Sequence, residues 1–202
     1  MTYSNSQKLD SKALSTTAGS TLLAVVGMGA LANVHAPTDN YGNTYRELLP
    51  KHAYKYWWGS GQQLFAAANI AGGTSHVLTE TMPDPTDEVT FSVVEIRGAH
   101  RIAAATVLET TDQPGSVTSA NVTTSGPAIL VSWWWGDDSV SQISATTSEG
   151  WTRLQSLERA QAVSGVLQTE VAAKAVNAAG TYNITWTSNP VQGAVVYLVA
   201  VE

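Results

Sequence analysis

The chain contains no cysteine, which excludes disulfides, thiolate catalysis and cysteine-ligated zinc. It is also poor in charge. Asp, Glu, Lys and Arg make up 13% of its 202 residues, about half the usual share. A basic excess is lacking: 10 basic against 16 acidic side chains give a formal net charge of −6. Nucleic-acid binders carry a basic excess or stripe, so no nucleic-acid partner is expected. The first residues, MTYSNSQKLDSKALSTTAGS, have no apolar stretch behind a basic start, so export through a Sec signal is not expected. No apolar run approaches the ~20 residues of a membrane span, and no membrane is expected as a partner.

What is present is a large apolar share, 44%, enough to supply a sizeable core. Much of it is Ala and Val among Thr, Ser and Gly, so the outer surface is expected to be largely neutral. Such surfaces are tolerated best where a neighbour covers them. Residues 1–18 are polar and aperiodic and read as an arm, docked on the same chain or on a neighbouring copy. From residue 20 the pattern is strand, turn, strand. Strand-like runs cover 21–28, 53–58, 64–70, 75–81, 89–96, 128–135, 168–176, 182–187 and 194–201. Turn signals separate them: Asp39-Asn40, Gly59-Ser60-Gly61, Gly72-Gly73, Pro83-Asp84-Pro85 and Gly180. Residues 151–162 are the one stretch that could form a short helix.

Alternation predicts faces. Thr169, Val171, Ala173 and Ala175 are expected inward, with Gln168, Glu170 and Lys174 outward. Tyr182, Ile184 and Trp186 are expected inward, with Asn183, Thr185 and Thr187 outward. The runs 22–26 and 195–201 are apolar on both faces, so a loop, the arm or another subunit must cover the face away from the core.

A shift of 107 positions superposes TLLAVVGMG (21–29) on AILVSWWWG (128–136) and AAANIAGGT (66–74) on AKAVNAAGT (173–181). The fold expected is therefore an antiparallel β-sandwich, jelly-roll- or Greek-key-like, spanning 19–202. Pseudo-repeats lie at about 19–100 and 126–202, with 98–127 as the crossover between them. Two small sandwiches in tandem are the alternative.

Motifs that carry chemistry are weak. Gly27, Gly29 and Ala32 fit a dinucleotide GxGxxA pattern, but Pro37 and Gly42 follow where its helix should run. His35, His52, His76 and His100 show no metal-ligand spacing and read as surface or loop histidines. Asp84, Asp87 and Glu88, and the pair Asp137-Asp138, read as turn residues. Neither a nucleophile elbow nor a P-loop occurs. No enzyme activity, cofactor or metal is expected. Tryptophan is abundant, with seven against two phenylalanines. Under the 107 shift Trp134 points outward, and Trp57 lies opposite Tyr54, Tyr56 and Trp58 on its strand. Trp57, Trp58 and Trp134 are thus the candidate contact surface, for a protein or for a glycan.

GSTLLAVVGMG, DNYGNTY, LFAAANIAGGTSHVLTETM and VTFSVVEIRGA together resemble a β-sandwich module that recurs in phage structural proteins and in some bacterial surface proteins. The shared pattern is an apolar strand, a D..GN.Y turn, a strand ending A...AGGT, and a VVE..G strand. It covers about 19–100, with a fainter echo over 126–202. The resemblance implies a virion location and a head-decoration, fibre or tail-surface role. Its partners would be other virion proteins and further copies of the chain. A carbohydrate- or receptor-binding module is the alternative.

Overall fold

A computed structural model describes residues 1–4, 6–54, 59–82, 89–110, 115–138, 144–161, 165–189 and 193–202. Among these the chain is all-β, and its one helical element is a single 3-10 turn at Leu31–Asn33. None of their helices is long and apolar enough to cross a membrane. The chain divides into two compact units, Met1–Arg101 and Ile102–Glu202.

The first unit holds β1 (Thr2–Ser4), β2 (Lys8–Asp10), β3 (Thr21–Met28), β4 (Thr38–Asp39), β5 (Arg46–Glu47), β6 (His52–Ala53), β7 (Gly61–Ala67), β8 (Leu78–Thr81) and β9 (Val89–Ile96). One sheet runs β1-β9-β3-β7-β5, with β6 also on β7, and a smaller one runs β2-β8-β4. Every pairing is antiparallel. Leu22, Ala24, Val26 and Met28 of β3 meet Phe65, Phe91, Leu78 and Leu9 in one buried cluster between the sheets.

The second unit holds β10 (Ile102–Thr110), β11 (Ser116–Thr118), β12 (Val122–Thr124), β13 (Ala128–Asp138), β14 (Ser144–Thr147), β15 (Thr152–Gln161), β16 (Gly165–Val176), β17 (Gly180–Tyr182), β18 (Thr185–Asn189) and β19 (Ala194–Val201). Its sheets run β10-β19-β13-β16-β15, β11-β18-β14 and β12-β17. Leu130, Trp134, Ala172, Val196, Leu198, Ile184 and Trp186 form its buried cluster. Set aside the β12-β17 pair and the short β6, and the strand order of the second unit repeats that of the first.

Several expectations meet corrections here. Residues 98–127 are more than a crossover, since β10, β11 and β12 lie in them. The possible helix at 151–162 is the strand β15, paired with β16 from Thr152↔Ala173 to Gln161↔Gly165. Its Leu154 and Leu157 have helical spacing, but helix propensity is a weak preference that a long ladder overrides. The polar arm belongs to the fold of its own chain. β1 pairs with β9, β2 pairs with β8, and Leu9 enters the core.

Of the residues expected inward, Thr169 and Val171 are buried, but Trp134, Gln168 and Glu170, expected outward, are buried as well, so both faces of β13 and β16 are covered there. In β13 the core cluster takes Ala128, Leu130 and Trp134. Glu170, Ala172 and Lys174 stand directly across from Trp134, Ser132 and Leu130 and share their face. The members of these two core clusters are even-numbered in both β3 and β13, so only an even shift superposes them: 130 − 22 = 108. In a strand, one residue of slip exchanges the two faces. Ile184 and Trp186 are buried as expected, with Tyr182 packed against their cluster. The doubly apolar β3 and β19 are buried along their whole lengths.

Candidate functional site

A dense polar cluster grows from the D..GN.Y turn. β4 ends at Asp39, and the chain reverses through Gly42, whose φ of +73° suits glycine. The Oδ1 atom of Asp39 accepts the backbone N–H groups of Tyr41 at 2.9 Å and Asn43 at 3.0 Å. This is an Asx-type turn. Its Oδ2 accepts the Asn43 side-chain amide at 2.8 Å, the Tyr45 hydroxyl at 2.7 Å and His76 Nε2 at 2.9 Å. The side chains of Asp39 and His76 are 0% exposed.

The A...AGGT segment is what this turn grips. Asn43 brackets Ala71, accepting its N–H at 2.7 Å and donating to its carbonyl at 3.1 Å. Tyr41 donates its hydroxyl proton to the Thr74 carbonyl at 2.7 Å, and its ring lies 4.8 Å from that of His76. A Cβ on Gly73 would come within 2.2 Å of the Tyr41 hydroxyl, so the motif needs glycine there. The N-terminal segment closes the cluster: Thr16 Oγ1 lies 2.7 Å from His76 Nδ1 and accepts the Gly73 N–H at 3.2 Å.

Burial alone would raise the Asp39 pKa, yet the hydrogen bonds from Asn43, Tyr45 and His76 outweigh it and hold the group at about 2. Burial and the adjacent Asp39 carboxylate push the Tyr45 hydroxyl up. Thr16, His76 and Asp39 lie in the order of a nucleophile, a base and its orienting acid. Their burial and their bonds to Gly73, Asn43 and Tyr45 make them a clasp that fastens turn, loop and N-terminal segment. His76 is therefore neither a surface nor a loop histidine in role, whereas His35 and His100 are exposed and His52 is half-buried.

A second buried polar group lies in the other unit. Gln168 donates to Glu170 Oε1 at 2.8 Å, and Arg153 of β15 stands 3.5 Å from Glu170 Oε2. Trp186 donates its indole N–H to Ser132 Oγ at 3.0 Å, and Ser132 donates to the Tyr197 carbonyl at 2.7 Å.

Of the expected contact surface, Trp134 alone lies among the described residues. Trp134, expected to point outward, is 1% exposed and belongs to the core, because both faces of β13 are covered at Trp133–Trp135. Trp57 and Trp58 lie outside the described residues, as do Asp84, Asp87 and Glu88. Asp137 and Asp138 continue β13 opposite Leu167 and Val166 and do not form a turn. Gly27 lies within β3, and the segment after it makes the 3-10 turn, so no dinucleotide-binding helix opens there. Among the described residues no group of three or more His, Asp or Glu side chains could hold a metal ion. Nothing in the sequence marks His76, which stands two residues beyond the A...AGGT motif that the clasp joins to D..GN.Y. No protein-family model, curated protein or solved structure matches this chain.

Proposed function

We propose that this chain is a bacteriophage virion structural protein, a capsid-decoration or tail-surface subunit that acts without catalysis, through contacts with neighbouring virion proteins and further copies of itself. The observation that carries the reading is the clasp. Two of the motifs on which the resemblance rests, D..GN.Y and A...AGGT, grip each other around a sealed Asp39–His76 pair. They serve the rigidity of a module and not the exposure of a reactive group. The repeated strand order supports an internal duplication of that module.

The doubly apolar strands no longer argue for a subunit interface, because they are already buried. The contact surface is accordingly sought on the neutral exterior. The glycan-binding alternative rests on Trp57 and Trp58, since Trp134 offers no ring to a sugar. The test is to band particles from a lysate of cells that make the chain naturally and to search them by mass spectrometry. The expected outcome is the chain in the particle band at a fixed ratio to the shell protein. Recovery only in the soluble fraction would overturn the reading.

A further inference from the structure

Glu80 occupies an unusual place for a carboxyl group. On β8 it shares the face of Leu78 and stands two residues before Met82, and both of those belong to the core cluster of the first unit. Across the β2–β8 ladder it faces Leu9, another member of that cluster. The residue is 0% exposed. Its Oε1 accepts the His35 backbone N–H at 3.2 Å, while its Oε2 meets no donor among the described residues. A buried carboxylate with one donor is poorly compensated, whereas the neutral acid is tolerated.

The charged groups on the surrounding elements do not supply the missing partner. On β2, Lys8 and Asp10 are exposed and paired with each other at 3.1 Å. On β4, Asp39 is held by its own donors. His35 contributes its backbone N–H, and Lys51 acts through space while its Nζ donates to the Ala32 carbonyl at 3.1 Å.

We propose that Glu80 is a pH-dependent latch on the N-terminal segment: the neutral acid keeps β2 closed over the core, and ionisation releases it. β2 is the element to move because it is three residues long and lies at a sheet edge. The inference concerns only the first unit and does not depend on a virion role.

Burial raises the group from 4.5 to about 7, with the His35 N–H and Lys51 offsetting only part of that. The closed form thus keeps its proton where the opened chain has lost it. Closure is strongest below pH 4.5 and weakens as pH rises to about 7, beyond which both forms are ionised and the effect levels off. Across that window the opening equilibrium rises on the order of a hundredfold.

The experiment is amide hydrogen exchange of the full chain at pH 5 and pH 7.5, corrected for intrinsic rates, with the wild type beside Glu80→Gln. The reporter is Ser11, whose N–H donates to the Leu78 carbonyl at 2.8 Å. The wild type is expected to lose protection at Ser11 on the order of a hundredfold, and the variant to stay level. An equal change in both, no change in the wild type, or a loss spread evenly over residues 1–101 overturns the proposal. Should Glu80→Gln not fold, carbon-13 NMR of the wild-type carboxyl decides. A midpoint near 7 supports the latch, and one at or below 4.5 overturns it.

Discussion

Truncating Trp134 removes one of the largest fully buried side chains of the molecule, from a position between Ser132 and Gly136 where the strand has little with which to refill the space. Trp134→Ala is expected to destabilise the chain by about 3–5 kcal/mol, read as a lower denaturant midpoint at unchanged slope. An exposed contact residue would behave in the opposite way, losing a partner while leaving stability untouched. The sequence could show that β13 is a strand, that it is apolar, and that it echoes β3. It could not show which face is which, because residues 129–135 are bulky or apolar on both faces apart from Ser132. Where polar and apolar residues truly alternate, as from Tyr182 to Thr187, the faces were legible. The clasp was half legible. Asp39, Asn43 and Gly73 stood out as motif residues, but a lone His76 carries no spacing that reveals its burial.

At the scale of elements, strands with long ladders announced themselves: β3, β9 and β19 lie where the β-branched runs placed them. Elements whose identity depends on a distant partner did not. β2 has one apolar residue, Leu9, and is a strand only because β8 offers it an edge. β15 has helical spacing and is a strand because β16 pairs along its whole length. The arm follows the same rule and yields a prediction. Deleting residues 1–18 removes Leu9 from the core, uncovers the edges of β8 and β9, and takes Thr16 away from His76. Burial of the leucine alone is worth about 2 kcal/mol. Thermal unfolding of the truncated chain is expected to begin well below that of the full chain, even where both are monomers. An unchanged midpoint would mean that the arm rides on the surface, as its polarity suggests.

On the scale of the whole molecule, the same strand order is stabilised by different chemistry in the two units. The first holds the buried Asp39–His76 pair, while the second buries Glu170 beside Gln168 and Arg153 and fills its core with tryptophan and aliphatic side chains. Acid should separate them. Asp39 has a folded pKa of about 2 against an ordinary value of 3.8. A lowered carboxylate pKa gives stability that is fully present above the ordinary value and is lost as pH falls through the folded one. Here that amounts to about 2 kcal/mol, surrendered between roughly pH 4 and pH 2. Hydrogen exchange at pH 2.5, compared with pH 4.5 after intrinsic-rate correction, is expected to rise first at Leu14, Thr16, His76 and Val77, whose amides belong to the clasp and its neighbours. Asp39→Asn should place those amides in the exposed condition already at pH 4.5 and abolish their acid response. If acid instead lowers protection equally in Met1–Arg101 and Ile102–Glu202, the two units open as one cooperative body, and Asp39 is then a determinant of the entire fold and not of its own unit alone.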